Sequence, residues 1–348
     1  MQRKILLIVG NTLLILAVIW LYFEPQKEIP TVYTPPADTR ICLAKDDTFP
    51  SSIEHKARMK ELGIDCATLY WKLNAPDNRK HPYDWVRFNY LDEGYDVVLV
   101  LIIDGGGKTT TIGEDSNTAV GNLQKVLDGH YDVALKEFIA VIARDGRPIK
   151  IRPFHELDGD WYPWGIYAQG NSPQMLVDAF AHVVSLFSEG GASAVTFDAN
   201  LNRRDANRLV LGDAEAYLPQ LRTLIQSVSF STYNRGGTSK DHPYERTFQF
   251  EFRPAYNRAQ QFIGDTPINV AEVSTAGILS PKIPWFRRML QDIKADFHHT
   301  NEVTFFFGEG TATDGSTIDW GLKPKDHTAF RDILEAFRNT QQTKHEEE

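Results

Sequence analysis

Two glutamates accompany short apolar segments of the kind that form buried strands. Glu156 comes shortly after the segment 148–154, and Glu272 lies near the end of the segment 267–273. Two carboxyl groups that face one another can cleave a glycosidic bond, one protonating the leaving oxygen and the other attacking the anomeric carbon. A lone glutamate after an apolar run is more often a solvated strand end, so the neighbours of the pair decide its interpretation.

The residues around Glu156 suit sugar chemistry. His155 precedes it and can position the carboxyl group and its proton. Arg152 supplies a fixed positive charge that can keep a second carboxyl group ionised, and we count it among the substrate-binding residues. Trp161 and Trp164 offer flat faces to pyranose rings, although a single tryptophan is more often a core residue.

Further polar residues stand at other strand ends. Tyr233 closes the predicted sixth strand, beside the seventh, and can donate a hydrogen bond to Glu272. Four more residues are candidates for hydrogen bonds to sugar hydroxyls, each individually more often a plain loop residue: Asp104, Asn200, Asn202 and Glu309.

Motifs of other chemistries are missing from the sequence. The pair His155-Glu156 also begins the zinc motif H-E-x-x-H, but position 159 is a glycine. No G-x-S-x-G elbow occurs, and the glycines at 105–107 match neither phosphate-binding spacing. We therefore predict neither a metal nor a cofactor.

The elements that must position these residues alternate regularly between short apolar runs and amphipathic helical segments. Eight such units in about 300 residues predict a parallel α/β fold, and the count of eight favours a closed (β/α)8 TIM barrel. Catalytic groups of that barrel lie at the C-terminal ends of its strands, which places Glu156 on the fourth strand and Glu272 on the seventh. The predicted strands are 40–45, 64–73, 96–103, 148–154, 194–198, 228–233, 267–273 and 303–307.

Three segments resemble glycoside hydrolase family 26, which comprises mainly β-mannanases with some β-glucanases and xylanases. R-P-F-H-E-L-D-G-D-W-Y-P-W-G at 152–165 resembles its acid/base signature, P-I-N-V-A-E-V-S at 267–274 its nucleophile strand, and V-S-F-S-T-Y-N at 228–234 its sixth strand. The resemblance implies that Glu156 is the acid/base and Glu272 the nucleophile. It also implies that His155, Trp161 and Tyr233 are active-site residues.

The N-terminus has a different character from the remainder. Residues 5–23 are almost wholly apolar and follow Arg3 and Lys4. About twenty apolar residues in a helix can cross a membrane, and the basic flank favours a cytoplasmic N-terminus. A cleaved signal peptide is the alternative, but the run ends in aromatic residues at 20–23 rather than in the small residues of a cleavage site.

We accordingly predict a transmembrane helix at 1–24, a proline-rich linker at 25–39, a catalytic barrel at 40–338 and a charged tail at 339–348. The protein would be a single-pass, membrane-anchored one with its barrel in the periplasm or outside the cell. The net charge is −9, so the protein lacks the basic face that nucleic-acid binding requires. Cys42 and Cys66 can form a disulfide in such a compartment, or can be plain buried residues on neighbouring strands.

The functional expectation is a retaining glycoside hydrolase that cleaves a β-linked polysaccharide, mannan-like or an exopolysaccharide, by double displacement. Two alternatives remain at this point. One is a carbohydrate-binding pseudo-enzyme and the other a transglycosylase, either of them in an exopolysaccharide synthesis or export complex.

Overall fold

The computed structural model describes residues 39–45, 51–73, 82–103, 119–202, 217–311 and 315–345. The predicted transmembrane segment at 1–24, all but the last residue of the linker, and Asp104 lie outside these ranges. Within them, no helix combines the length and the apolar composition that crossing a membrane requires.

Eight parallel strands close into one barrel in which every strand pairs with the next along the chain and the eighth pairs with the first. The predicted (β/α)8 barrel is therefore confirmed. Its strands are β1 Arg40–Lys45, β2 Cys66–Lys72, β3 Asp96–Ile102, β4 Ile149–Pro153, β5 Val195–Asn202, β6 Ser227–Asn234, β7 Ile268–Thr275 and β8 Glu302–Phe305.

Helices connect the strands on the outside of the barrel. They are α1 Ser52–Leu62, α2 Pro82–Asn89, α3 Leu123–Leu127, α4 Asp132–Asp145, α5 Pro173–Glu189, α6 Phe248–Ile263, α7 Lys282–Asp296 and α8 His327–His345. The last helix continues past residue 338, where the sequence pattern placed the end of the barrel.

Local sequence signals begin and end these helices. Ser51 and Glu54 form a capping box at the start of α1, and Gly63 ends that helix in the left-handed conformation that glycine adopts without strain. Ser172 accepts a hydrogen bond from the backbone N–H of Met175, and proline opens α5 in its first turn.

The strands are packed on both faces, as strands of a parallel barrel must be. In β3 the five residues from Val97 to Leu101 are buried, which explains the unbroken apolar run in the sequence. Cys42 and Cys66 are direct neighbours in the β1–β2 register and form a disulfide, which decides between the two alternatives for these residues.

The segment after β8 adds a small antiparallel hairpin, with β9 at Glu309–Thr311 and β10 at Thr317–Asp319. Trp320 follows this hairpin and packs against the ring of Tyr233 at 4.9 Å between centroids. Lys282 holds the hairpin in place, because its ammonium group donates to the carbonyls of Asp319 and Gly321.

Candidate active site

The backbone turns sharply where β4 ends. Phe154 and Glu156 have φ angles of 54° and 51°, a left-handed conformation that residues other than glycine rarely adopt. The end of β5 supports this turn: the backbone N–H of Glu156 donates to Oδ1 of Asn200 at 2.9 Å, and the N–H of Leu157 donates to the Asn200 carbonyl at 3.0 Å. Strain of this kind persists where surrounding contacts enforce it, typically at functional sites.

Both oxygens of the buried Glu156 carboxyl group accept hydrogen bonds from N–H donors. Nε1 of Trp161 donates to Oε2 at 2.9 Å, and Nδ2 of Asn202 donates to Oε1 at 2.6 Å. Asn202 is itself fixed, because its backbone N–H donates to Oδ1 of the buried Asp158 at 2.5 Å. The carboxyl group is thus held from two sides by groups that do not titrate.

Glu272 accepts hydrogen bonds from two tyrosines instead. The hydroxyl of Tyr70 donates to Oε1, and the hydroxyl of Tyr233 donates to Oε2 at 2.5 Å. Burial and then the negative charge of Glu272 raise the pKa of both tyrosines well above its ordinary value. The two hydroxyls therefore stay protonated and act as hydrogen-bond donors to Glu272.

An irregularity in β7 aims Glu272 into the barrel mouth. The register of β7 shifts against both neighbouring strands between Val270 and Val273, so Ala271 has no counterpart on β6. Such a bulge re-aims the side chain beside it. Nη1 of Arg152 donates to the carbonyl of Ala271 at 3.3 Å and so satisfies a backbone group of the bulge.

His155 lies between the two carboxyl groups. Its Nε2 is 3.5 Å from Oε1 of Glu272 and 3.9 Å from Oε1 of Glu156. One side-chain atom from each of the three residues lies within 4.8 Å of the others. A carboxyl separation of about 5 Å suits the retaining mechanism of glycosidases, whereas inverting enzymes keep roughly 6.5–9.5 Å between the groups.

His155, Glu156 and Glu272 are also spaced closely enough to hold a metal ion, and within the described part of the chain this is the group of three that meets that criterion. In the structure all four carboxylate oxygens already accept hydrogen bonds from protein N–H and O–H donors. These donors suit a pair of carboxyl groups of which one transfers a proton to a substrate and the other forms a covalent bond with it.

Arg152 occupies a different place from the one the sequence suggested. Its side chain is fully buried below the site, where Nε donates to Asp198 at 2.6 Å and Nη2 lies 3.6 Å from Glu302. Burial lowers the pKa of Arg152, but Asp198 and Glu302 outweigh burial and raise it, so the guanidinium stays charged. The expectation that Arg152 binds substrate is corrected, because its buried side chain reaches only protein groups; it supports β7 from below.

Trp164 also differs from its prediction. Its side chain is completely buried, its Nε1 donates to the His155 carbonyl at 2.7 Å, and its ring stacks on Tyr162 at 4.7 Å. It therefore offers no face to a pyranose ring. Trp161 is partly exposed and keeps a place in the mouth, where Gly159 leaves room for its ring.

The remaining predicted residues are distributed unevenly. Asn202 lies in the site but contacts Glu156, Glu309 is exposed on β9, and Asp104 is outside the described residues. The sequence pattern did not single out Tyr70 or Tyr162.

A signal for Tyr70 exists in β2. Cys66 forms the disulfide to β1, and Thr68 reaches Thr304 of β8 at 3.0 Å. Because side chains alternate along a strand, Tyr70 continues the row that begins with these two residues. No such period singles out Tyr162, which lies in the irregular segment after β4; burial and then the charges of Glu156 and Glu272 raise the pKa of its hydroxyl well above the ordinary value.

Solved structures with this barrel include several glycoside hydrolases. A family 26 β-mannanase from Bacteroides ovatus has a TM-score of 0.56 and 15% identity, over 88% of this chain and 90% of its own. A family 26 endo-β-1,4-mannanase catalytic domain from Bacillus sp. JAMB-750 has a TM-score of 0.56 and 13% identity, over 86% of each chain. A family 39 glycoside hydrolase from Bacteroides cellulosilyticus WH2 reaches 0.58 with 11% identity, over 87% of this chain and 65% of its own.

Among curated proteins, Endoglucanase H from Acetivibrio thermocellus is 25% identical over 221 residues, or 62% of this chain. The chain spans 23% of the length of that relative. No protein-family model matches the sequence. The closed eight-stranded barrel of this chain is thus the fold that family 26 β-mannanases also have.

Proposed function

We propose that this protein is a retaining glycoside hydrolase acting on a β-linked polysaccharide. The observation that carries the proposal is the pair Glu156, just after β4, and Glu272 on β7, with one carboxyl oxygen of each within 4.8 Å of the other and a separate set of donors on each. That spacing leaves no room for a water molecule between the carboxyl groups and the sugar, as an inverting enzyme would need.

In this proposal each group has a role in a retaining double displacement. In the first step Glu156 transfers its proton to the leaving oxygen, while Glu272 forms a bond to the anomeric carbon as the leaving group departs with its electron pair. In the second step water attacks the anomeric carbon and gives a proton to Glu156, and the bonding electrons return to the Glu272 carboxylate. Between the steps Trp161 and Asn202 donate to the ionised Glu156.

The comparisons narrow the choice of substrates to test. Structural neighbours include β-mannanases, and the curated relative is an endoglucanase. We expect the protein to release reducing ends from at least one of mannan, mixed-linkage or β-1,4-glucan, and xylan, and to release the β-anomer first by NMR. Glu272→Gln serves as the inactive control. Absence of hydrolysis of every β-linked glycan, or initial release of the α-anomer, would contradict the proposal.

We also propose that residues 1–24 anchor the protein to a membrane with the barrel outside the cytoplasm. The apolar run at 5–23 supports this, and so does the Cys42–Cys66 disulfide, since disulfides persist in oxidising compartments. The protein should resist alkaline extraction from membranes and carry no free thiols when isolated from its host. Recovery in the alkaline-soluble fraction, or alkylation of both cysteines, would contradict the anchor or the location.

A further inference from the structure

The two tyrosines on Glu272 contact different oxygens. Tyr70 reaches Oε1 from β2, and Tyr233 reaches Oε2 from β6. The ring of Tyr70 also meets the ring of His155 edge-on at 5.9 Å, which fixes its direction in the barrel. The two hydroxyls therefore approach the carboxylate from separate strands and serve separate atoms.

His155 lies near one oxygen of each carboxyl group. Its Nε2 lies 3.5 Å from Oε1 of Glu272 and 3.9 Å from Oε1 of Glu156. Oε1 of Glu272 and Oε1 of Glu156 thus lie near the same nitrogen of His155. We infer that Oε1 of Glu272, which Tyr70 contacts, attacks the anomeric carbon, and that Oε2, which Tyr233 contacts, becomes the carbonyl oxygen of the ester intermediate.

We propose that Tyr70 is a positioning residue for the attacking oxygen and acts mainly in the second step of the reaction. This inference rests on the proposed retaining hydrolysis. When Oε1 forms its bond to the anomeric carbon, it loses its charge and becomes a poor acceptor, so the Tyr70 hydrogen bond weakens. When water displaces the glycosyl group, the bonding electrons return to Oε1 and the hydrogen bond forms again.

The Tyr70 hydrogen bond therefore raises the barrier of the first step and lowers the barrier of the second. A hydroxyl that donates to the returning charge makes Glu272 a better leaving group. The hydroxyl keeps its own proton throughout, because burial and the charge of Glu272 raise the pKa of Tyr70.

Tyr70→Phe tests the proposal, with Tyr83→Phe as its matched control. The side chain of Tyr83 is buried, and its hydroxyl donates to a carboxylate too, that of Asp145 at 2.7 Å in the outer layer of helices. The substrate is a dinitrophenyl β-glycoside of the sugar that the wild type hydrolyses. We expect Tyr70→Phe to lower the steady-state rate by about 10- to 100-fold, the effect of one hydrogen bond to a charged group, and to show a burst of one equivalent of dinitrophenol.

A second measurement addresses the same step directly. The enzyme is trapped on Glu272 with a 2-deoxy-2-fluoro glycoside, and its reactivation is followed by mass spectrometry. We expect Tyr70→Phe to reactivate more slowly by a similar factor, and Tyr83→Phe to behave as the wild type in both assays. Comparing the melting temperatures of the two variants separates a folding defect from a chemical one, because each loses one part-buried hydrogen bond from a tyrosine to a carboxylate.

The outcomes separate this inference from the proposed function. A Tyr70→Phe variant that loses rate without a burst, with unchanged reactivation, would overturn the role of Tyr70 and leave the hydrolase proposal standing. A wild type that hydrolyses no β-linked glycan would overturn the hydrolase proposal and this inference with it.

Discussion

At the residue scale, the two carboxyl groups of the site differ in the hydrogen-bond donors that contact them. Glu156 accepts from an indole and an amide, and Glu272 accepts from two phenols. The two carboxyl groups therefore lie in different hydrogen-bonding environments, which suits two different roles in the proposed reaction. His155 lies between them and bonds firmly to neither, at 3.9 and 3.5 Å.

Replacing the acid/base tests the assignment of roles. Glu156→Ala should lower the rate on polysaccharide by about 10²- to 10⁴-fold, because the leaving oxygen loses its proton donor. Azide should restore turnover of an aryl glycoside and yield the β-glycosyl azide, since the anion enters the vacated space on the face opposite Glu272. An α-glycosyl azide by NMR would show that the roles of the two glutamates are reversed.

At the element scale, the end of β5 holds the strained turn after β4. Three hydrogen bonds link Asn200 and Asn202 to the segment of Glu156 and Leu157, so the neighbouring strand shares in positioning Glu156. The bulge in β7 performs the corresponding task for Glu272.

A glycine in this loop offers a test of the tryptophan contact. A Cβ at Gly159 would come within 2.8 Å of the Trp161 ring, so Gly159→Ala should move the indole away from Glu156. We expect about a tenfold loss on polysaccharide, with the release of a good leaving group such as dinitrophenol in the first step unchanged, because that step needs no acid. Equal losses on both substrates, measured as kcat/KM, would show that the loop has a different role.

At the scale of the whole molecule, a charged cluster fills the barrel below the site. Glu302 is buried and contacts Arg40, Lys150 at 2.8 Å and Arg152 at 3.6 Å. Burial by itself would raise the pKa of Glu302, but Lys150, Arg40 and Arg152 together lower it to about 2. The cluster ties β1, β4 and β8 together through charge.

This cluster predicts a loss of stability in acid. A carboxyl group with a lowered pKa stabilises the fold above its unfolded pKa of 4.5, and this contribution is lost as the pH falls towards 2. The shift corresponds to on the order of 3 kcal/mol. Urea unfolding of the wild type should therefore show a free energy that falls steeply between pH 4.5 and 2.

Glu302→Gln provides the comparison for this prediction. The variant should be less stable at pH 6, because it leaves buried cations without their partner, and its stability should depend less on pH in this range. His55, whose pKa burial lowers to about 3, adds its own slope in acid, but it is present in both proteins and cancels in the difference. Identical pH slopes for the two proteins would contradict the assignment.

The disulfide predicts a second effect on the whole barrel. Cys42 and Cys66 close a loop across 24 residues that joins β1 to β2. Restricting an unfolded chain by such a loop stabilises the fold by about 3 kcal/mol. In urea unfolding, the double variant Cys42→Ser, Cys66→Ser should have a free energy of unfolding that is lower by that amount. Reductant should lower the stability of the wild type only. Equal stability of the oxidised and reduced wild type would contradict a stabilising bridge.

The sequence by itself determined the order of the barrel strands. It also singled out Glu156 and Glu272 as a pair of carboxyl groups at strand ends. Apolar runs separated by helical segments indicate a parallel fold because the strands of such a fold are covered on both faces and are therefore rich in apolar residues. The predicted seventh strand, 267–273, differs from the observed Ile268–Thr275 only at its ends. The motif around Glu156 also lies in one continuous segment, so its residues could be read together.

Only the tertiary structure decided which neighbours serve each glutamate. Trp164 and Trp161 are three positions apart in one loop, yet one is buried in the core and the other contacts Glu156. Tyr70 is 202 positions from Glu272, and no sequence period links two strands across a barrel. Hydrogen bonds to Glu272 depend on distances between strands that the closed barrel alone sets, which is why the contact of Tyr70 was found in the fold and not in the sequence.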